Sequence, residues 1–565
     1  MNKKEKIIIY QVLPRLFGND NDNCIYNGSL TENGSGKMSD FTSQTLKEIK
    51  KLGITHIWYT GIIEHATKVD FRRYNIRPDH PALVKGKAGS PYAIKDYYDV
   101  DPALASDIPE RINEFDDLVR RTHKEGMKVI FDFVPNHVAR QYSSDSQPEG
   151  SSQLGANDDP QLSFSPYNNF YYIPNTELEG RFDMKDGAPE PYKEIPAKAT
   201  GNNRFDAYPT INDWFETVKL NYGIDYMNGC TYHFSPIPDT WIKMLDILLF
   251  WASKGIDGFR CDMAEMVPVE FWSWVIPKVK EKHPDLLFIA EIYNFGEYKN
   301  YILRGKFDYI YDKVGLYDTL REVICGKRSA KDITGCWQSL NGIEDKMLNF
   351  LENHDEQRVA SDFFATDPLK AIPALIVSAC MNTNPFMIYF GQEFGERGMD
   401  KEGFSGLDGR TTIFDFWSIT TIRHWRHNNT YDGKLLTDQQ RHLYGLYCKI
   451  LNLCNDEAAL SQGSFFDLMY ANLNGWKFNA DKLFVFFRKY RNELLLIIAN
   501  FDDQPVDIAI NIPSHAFDFL QIPQIYSIAV KDLLTDEEEV VCLLPYHALD
   551  THVKANGGKI LKFKI

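Results

Sequence analysis

An α/β architecture, a (β/α)8 TIM barrel with a B domain inserted after its third strand and a C-terminal β-sandwich, is what this 565-residue sequence predicts. Three observations carry that expectation. Short apolar runs alternate with helical patterns through eight strand candidates, the number that closes a barrel of parallel strands each followed by a helix. The alternation lapses between 138 and 236 into polar sequence rich in Ser, Asn, Asp, Gly, Pro and Tyr, too long for a plain loop in a compact domain. Past residue 457 short strands with polar turns and no intervening helices take over.

In chain order, a strand over 7–12 is followed by a helical pattern over 44–52 and a strand over 54–59. A helix over 115–125 leads to the third strand, 128–134. After the insert come helix 241–253 with strand 256–260, helix 271–282 with strand 286–290, and strands at 307–311 and 347–351. Helix 369–381 and strand 386–390 complete the set. The barrel is expected to occupy 1–137 and 237–457, the insert 138–236 and the β domain 458–565. In the β domain, strands are expected near 485–488, 494–500, 506–512 and 560–565, after a helix over 441–453.

Hydrophobic residues make up 44% and charged residues 25%, the balance of a globular chain that can bury large cores, which excludes general disorder. With 62 basic against 78 acidic side chains the net charge is −16, so the surface repels polyphosphate and anionic headgroups and nucleic acid is excluded as a partner. Membrane insertion is not expected: the longest apolar stretch, 371–381, contains Pro373 and falls short of the ~20 residues a spanning helix needs. The nine cysteines are scattered without a C-x-x-C pair, which is neither a disulfide framework nor a zinc site. The basic residues 1–6 lead into an apolar run of only 7–10, so no signal peptide is visible and the cytoplasm is the expected compartment. Aromatic residues reach 14%, enough for large cores and for rings on which sugars stack.

Four segments put acids where barrel strands end: Asp132-Phe133-Val134-Pro135-Asn136-His137, Gly258-Phe259-Arg260-Cys261-Asp262, Ile289-Ala290-Glu291 and Asn353-His354-Asp355. Side chains alternate along a strand, so Arg260 and Asp262 share one side, as do Ile289 and Glu291, and the acids point into one mouth. Arg260, two residues from Asp262, is placed to hold that carboxylate ionised for nucleophilic attack, while Glu291 suits the acid/base task. Two carboxylates with opposed tasks are the machinery of glycoside cleavage. Taken singly each segment has a plainer reading, as an ion pair, a helix cap, a solvated strand end or a buried histidine. Their shared position, each just after a predicted strand and in barrel order, is what sets those readings aside.

On these motifs, together with Tyr10-Gln11-Val12-Leu13-Pro14-Arg15 at the first strand, the chain resembles the α-amylase family, glycoside hydrolase family 13. The resemblance implies an enzyme with Asp262 as nucleophile, Glu291 as acid/base and Asp355 as the third acid gripping sugar hydroxyls in the transition state. It implies His137 and His354 on the sugar in the −1 subsite, Arg260 orienting Asp262, and Tyr92 stacking on that sugar, where the plainer reading is a core tyrosine. Asp132 and Asn136 resemble structural residues of the first motif, and Glu393 in the eighth-strand element is given no chemistry.

One stretch departs from the family pattern. Where many starch-degrading members carry a Lys-His pair after the nucleophile, this chain reads Met263-Ala264-Glu265-Met266, which leaves the leaving-side subsites and a calcium site near Asn136 open. No cofactor is required and no metal ligand is assigned. The acidic loop Asp20-Asn21-Asp22-Asn23 lacks the full ligand spacing for calcium and reads as a solvated turn. The expected activity is retaining hydrolysis of α-1,4-linked glucans, such as starch fragments and maltodextrins, with oligosaccharide as the only partner. The alternatives are a glucanotransferase of the same family and a catalytically inactive carbohydrate-binding barrel. The aromatic residues Tyr167, Phe170, Tyr171 and Tyr172 of the insert are candidates for gripping the leaving sugar by stacking.

Overall fold

The computed structural model describes residues 5–404 and 406–565. Eight parallel strands close into a barrel: β1 Ile8–Val12, β2 His56–Tyr59, β3 Lys128–Phe133, β4 Gly258–Cys261, β5 Leu287–Ala290, β6 Tyr309–Tyr311, β7 Met347–Phe350 and β8 Phe386–Tyr389. Each pairs with its sequence neighbour, and β8 returns to β1. All eight lie where the apolar runs predict them. Such runs are uninterrupted because both faces of each strand are buried. Ile8, Tyr10, Ile57, Val129, Phe131, Phe259 and Phe288 point outward into the main core beneath the helices. Ile9, Trp58, Ile130, Ile289, Tyr311, Leu348 and Met387 point inward and fill the lumen as a separate cluster.

The helices around the barrel are α1 Ser43–Lys50, α2 Arg111–Lys124, α3 Asp239–Ser253, α4 Val269–Lys282, α5 Tyr298–Leu303, α6 Asp318–Ile324, α7 Ile333–Leu340 and α8 Ile372–Cys380. The Thr42 hydroxyl caps α1 by accepting from the Thr45 amide. Helices α6 and α7, which the sequence pattern does not announce, are short and follow a π-helical turn at Lys313–Tyr317. Helix α8 is buried on every side because the C-terminal sheet packs over it.

Between β3 and α3 the chain pairs only in short stretches: His137–Ala139 with Thr217–Lys219, Tyr172–Ile173 with Ala197–Lys198, Ile224–Asp225 with Thr231–Tyr232, and isolated bridges such as Phe170 with Leu220. A segment this polar is held by hydrogen-bonded hubs in place of a broad apolar core. The Asn169 amide donates to Asp239 Oδ2 (2.9 Å) and Thr240 Oγ1 (3.0 Å), and its oxygen accepts from Gly155 N and Lys243 Nζ (both 2.8 Å). Arg140 donates to Glu194 Oε1 (2.8 Å) and the Phe215 carbonyl (2.9 Å).

After helix α9, Asp438–Asp456, comes a sheet domain. Strands β9 Ser464–Asp467, β10 Leu483–Tyr490, β11 Glu493–Asn500, β12 Val506–Ile510, β13 Ile525–Asp532, β14 Glu538–Leu543, β15 Leu549–Val553 and β16 Gly557–Lys564 form a six-stranded antiparallel sheet, order β9-β10-β11-β16-β13-β14, and a β12-β15 ribbon. The sandwich is thus unequal. The expectation of no intervening helix is corrected by Ser514–Leu520, which buries Ala516, Phe517 and Leu520 beside the sheet. Arg488 joins the domain to the barrel: its buried guanidinium donates to the carbonyls of Met381 (2.7 Å), Gly463 (2.8 Å), Ala459 (3.1 Å) and Leu460 (3.2 Å).

Candidate active site

Arg260 stands at the centre of the barrel mouth, directly opposite Asp132 on β3 and Ile289 on β5. Its Nη1 donates to Asp262 Oδ1 at 2.8 Å and approaches Asp132 Oδ1 at 3.4 Å, while Nε donates to the Tyr311 hydroxyl at 3.2 Å. The rings of Trp58, Tyr92 and Tyr311 lie 5.2, 5.4 and 5.7 Å from the guanidinium carbon. A buried cation is tolerated here because acids and π faces surround it. Trp58 Nε1 fixes the other oxygen of Asp132 at 2.8 Å, which leaves Asp132 a structural part.

Asp262 follows the end of β4, its amide donating to the Phe133 carbonyl at 2.9 Å. The next residue, Met263, takes a left-handed conformation (φ 43°, ψ 43°), a strain that turns the chain sharply behind the carboxylate. The Met263 amide then donates to Glu291 Oε2 at 2.8 Å, and the Tyr293 hydroxyl donates to Glu291 Oε1 at 2.5 Å. Arg260 Nη2 is 2.7 Å from Glu291 Oε2, yet its N–H directions miss the oxygen and no hydrogen bond forms. Arg260 therefore attracts both acids but hydrogen-bonds only Asp262. The second oxygen of Asp262, Oδ2, is buried and accepts no hydrogen bond. Burial pushes the Asp262 carboxyl well above the usual carboxylate range, with Arg260 opposing and Glu291 adding to the rise. The ionisation expected from Arg260 alone is thus one side of a balance.

The third acid sits in a turn after β7. Asn353 Oδ1 accepts from the amides of Asp355 (2.8 Å) and Glu356 (2.9 Å), which fixes the turn. Gln11 Nε2 faces His354 Nδ1 at 2.8 Å, and His354 Nε2 lies between the Tyr92 hydroxyl (2.6 Å) and Asp355 Oδ2 (3.0 Å). The Tyr92 ring stacks on His354 at 5.1 Å. The enclosed setting of Asp355 works against its charge, but His354 and Arg260 outweigh it and hold the carboxyl at about 2. That carboxylate is 44% exposed, open to a ligand. His137 is buried beside the Trp214 ring, 5.2 Å away. Burial, then Lys219 and Lys85, push its pKa to about 3, so it works as a neutral imidazole.

These groups line one cavity of about 370 Å3: Asp262, Glu291, Asp355, Tyr92, His137 and His354 face it, and Arg260 lies buried just beneath. The cavity also has walls that the sequence reading missed. Tyr293 stands two residues past Glu291, and that spacing was a usable signal. Trp214, the Lys85–Glu216 ion pair (2.8 Å), Ile413 and Phe414 carried none, since they come from irregular segments. The insert aromatics need correction as stacking candidates: Phe170, Tyr171 and Tyr172 are buried and only Tyr167 is exposed.

The stretch that replaces the Lys-His pair has structural work. Glu265 Oε2 accepts from the amides of Tyr293 (3.1 Å) and Asn294 (2.9 Å), and the Met266 carbonyl accepts from Lys219 Nζ (3.0 Å). Lys219 Nζ also donates to Asn136 Oδ1, whose own amide donates to the Gly201 carbonyl at 2.9 Å. The side-chain oxygen that the resemblance offers to calcium is thus taken by the Lys219 amino group, which fills the space beside it, and calcium does not fit at Asn136. In the acidic loop, Asp20 accepts from Arg426 (3.0 Å), and Asn21 and Asn23 donate to the Glu32 carbonyl (3.0 and 2.9 Å), which makes it a hydrogen-bonded turn.

The sequence profile of the alpha amylase catalytic domain matches residues 11–442. The chain belongs to the alpha-amylase family. Alpha-amylase 2 of Dictyoglomus thermophilum is 24% identical over 506 residues, 88% of this chain and 70% of that protein. Neopullulanase 2 of Thermoactinomyces vulgaris is 20% identical over 532 residues, 90% of this chain and 72% of that protein. A crystal structure of a maltogenic alpha-amylase from Thermotoga neapolitana superposes with a TM-score of 0.63 at 20% identity, covering 100% of both chains, a likeness of fold. The alpha-amylase family comprises glycoside hydrolases and transferases acting on glucans. Among the described residues no helix is long and apolar enough to cross a membrane.

Proposed function

We propose that the protein hydrolyses α-1,4-linked glucans of maltodextrin type with retention of configuration, Asp262 acting as nucleophile, Glu291 as acid/base and Asp355 as the third acid. The observation that carries this reading is Asp262 Oδ2, a buried carboxylate oxygen without a hydrogen bond, on a cavity-lining residue whose other oxygen is fixed by Arg260. An oxygen left free in this way is available to form a bond.

In the first step Glu291 delivers its proton to the glycosidic oxygen while Asp262 Oδ2 attacks the anomeric carbon; the C–O bond to the leaving sugar breaks and an Asp262 glycosyl ester forms. In the second, the Glu291 carboxylate takes a proton from water, whose oxygen attacks the same carbon and frees Asp262. The chemistry requires Asp262 ionised while Glu291 carries the proton it donates. Arg260, 2.8 Å from Asp262 Oδ1 and 2.7 Å from Glu291 Oε2, supplies positive charge to both acids, and its hydrogen bond to Asp262 opposes the burial that raises that carboxyl. Asp355, His137 and His354 hold sugar hydroxyls, and the Tyr92 ring gives the sugar a stacking face.

Hydrolysis over transfer is supported on the leaving side. Glu265 and Met266 are engaged in the backbone and offer an acceptor sugar no cation, so water meets little competition. The test is a product series from one pure maltooligosaccharide at dilute concentration, with proton NMR in the first minutes. Shorter chains with α configuration are expected. A β product refutes double displacement, and a predominance of chains longer than the starting one makes the protein a glucanotransferase.

A further inference from the structure

We propose that Glu64, Asp96 and Asp99 bind one divalent cation of calcium size in a buried site of their own, on the hairpin that precedes β3. The hairpin pairs Ile63–His65 with Ile94–Val100, and its register jumps from Ile63↔Val100 to Glu64↔Asp96. Simple alternation would send Asp96 and Asp99 to opposite faces. The irregularity turns both toward Glu64, so that one carboxylate oxygen from each residue lies within 4.8 Å of the others. All three side chains are buried, at 2%, 0% and 0% exposure. Three carboxylate oxygens this close can touch one cation together, and an all-oxygen carboxylate set suits calcium, whereas magnesium demands near-ideal octahedral geometry and keeps several waters.

Two further observations point to a ligand. Glu64 Oε2 is buried and accepts no hydrogen bond, and the buried Ser144 hydroxyl lies against Asp96 without a well-directed one. The charge is also uneven. Lys95 Nζ lies 3.5 Å from Glu64 and 3.3 Å from Asp79, and Arg111 Nε donates to Asp99 at 2.7 Å. Lys95, Arg111 and, toward Asp79, Arg77 thus face four carboxylates, an excess of negative charge that a divalent ion offsets. The amides of Asp145 and Ser146 donate to Asp96 (2.7 and 3.0 Å), and the Ser146 hydroxyl to Asp99 (2.6 Å). A cation here fastens the hairpin strand that follows Tyr92 to the insert.

The test is thermal unfolding of the full chain after treatment with EDTA and dialysis, titrated with CaCl2 and in parallel with MgCl2, for the wild type and Glu64→Gln. Native mass spectrometry counts bound calcium. The wild type is expected to take up one calcium and to gain about 2 °C in Tm at a hundredfold excess over Kd, with a smaller response to magnesium. Glu64→Gln, which relieves part of the negative excess, is expected to melt no lower than the metal-free wild type and to bind no calcium. No uptake by the wild type overturns the proposal, and so does equal uptake by both proteins, which places the ion elsewhere. If Glu64→Gln fails to fold, Tb3+ emission excited through the neighbouring Tyr97 and Tyr98 and displaced by calcium supports the site in the wild type, and its absence overturns it.

Discussion

Replacing Lys219 by methionine probes the amino group that ties the insert to the barrel. Its Nζ is buried between Asn136 Oδ1 and the Met266 carbonyl, the latter at 3.0 Å. Burial lowers its pKa from 10.5 to about 7. In the unfolded chain the side chain keeps its proton up to about pH 10.4. Between those values the unfolded state binds one proton more than the folded state, and stability rises with pH by about 1.4 kcal/mol per unit. The sign is that of a depressed pKa: the contribution is complete above the unfolded value and is lost as pH falls through about 7. Methionine carries no proton, so the unfolding free energy of the wild type minus that of Lys219→Met should climb by about 2–3 kcal/mol from pH 7.5 to 9.5 and level off below pH 6.5. Denaturant unfolding at fixed temperature measures it, and taking the difference removes every other titrating group. A difference that stays constant from pH 7.5 to 9.5 refutes a buried, proton-losing Lys219. Because Asn136 adjoins His137, the variant should also lose turnover.

Asp262→Asn and Glu291→Gln should each lower kcat by about a thousandfold or more with Tm nearly unchanged, since each removes a chemical role and not packing; steady-state kinetics beside thermal unfolding separates the two. Tyr293→Phe removes the 2.5 Å donor to Glu291 and should cost about tenfold in kcat with little change in KM, together with a moved pH profile. Glu393 is raised to about 7 by burial, against the opposing hydrogen bond from Tyr10, so its stabilising protonated form is lost as pH rises through 7; Glu393→Gln should be more stable than the wild type by about 2–4 kcal/mol at pH 8.5, with the gain cut to about 1 kcal/mol at about pH 5 and gone near about pH 3.5. Arg488→Leu strands four buried carbonyls and should cost about 3–5 kcal/mol in denaturant unfolding, with the β domain loosening from α8.

What could be read from the sequence, and what could not, follows from how each position is determined. A parallel strand buried on both faces is an apolar run whatever surrounds it, so β1 to β8 are local features, and an acid just past such a run must stand at the barrel mouth. Asp262 and Glu291 are therefore legible, and so is their common neighbour Arg260. Strands β13 and β14 are half exposed and carry too little apolar alternation to announce themselves. Trp214 and Lys219 are set by a different kind of information. They enter the site only because Thr217–Lys219 pairs with His137–Ala139, in the register His137↔Lys219, and nothing local in either segment specifies that pairing. Asp96 and Asp99 depend in the same way on a register jump in their hairpin. The consequence reaches the chemistry: the acids proposed to break and form bonds are fixed by strands, whereas the groups that set their surroundings, Lys219 beside Asn136 and Trp214 beside His137, are fixed by long-range pairing in the insert. A relative could keep the four motifs unchanged and still differ in subsites and cation dependence, because those properties reside where the motifs do not reach.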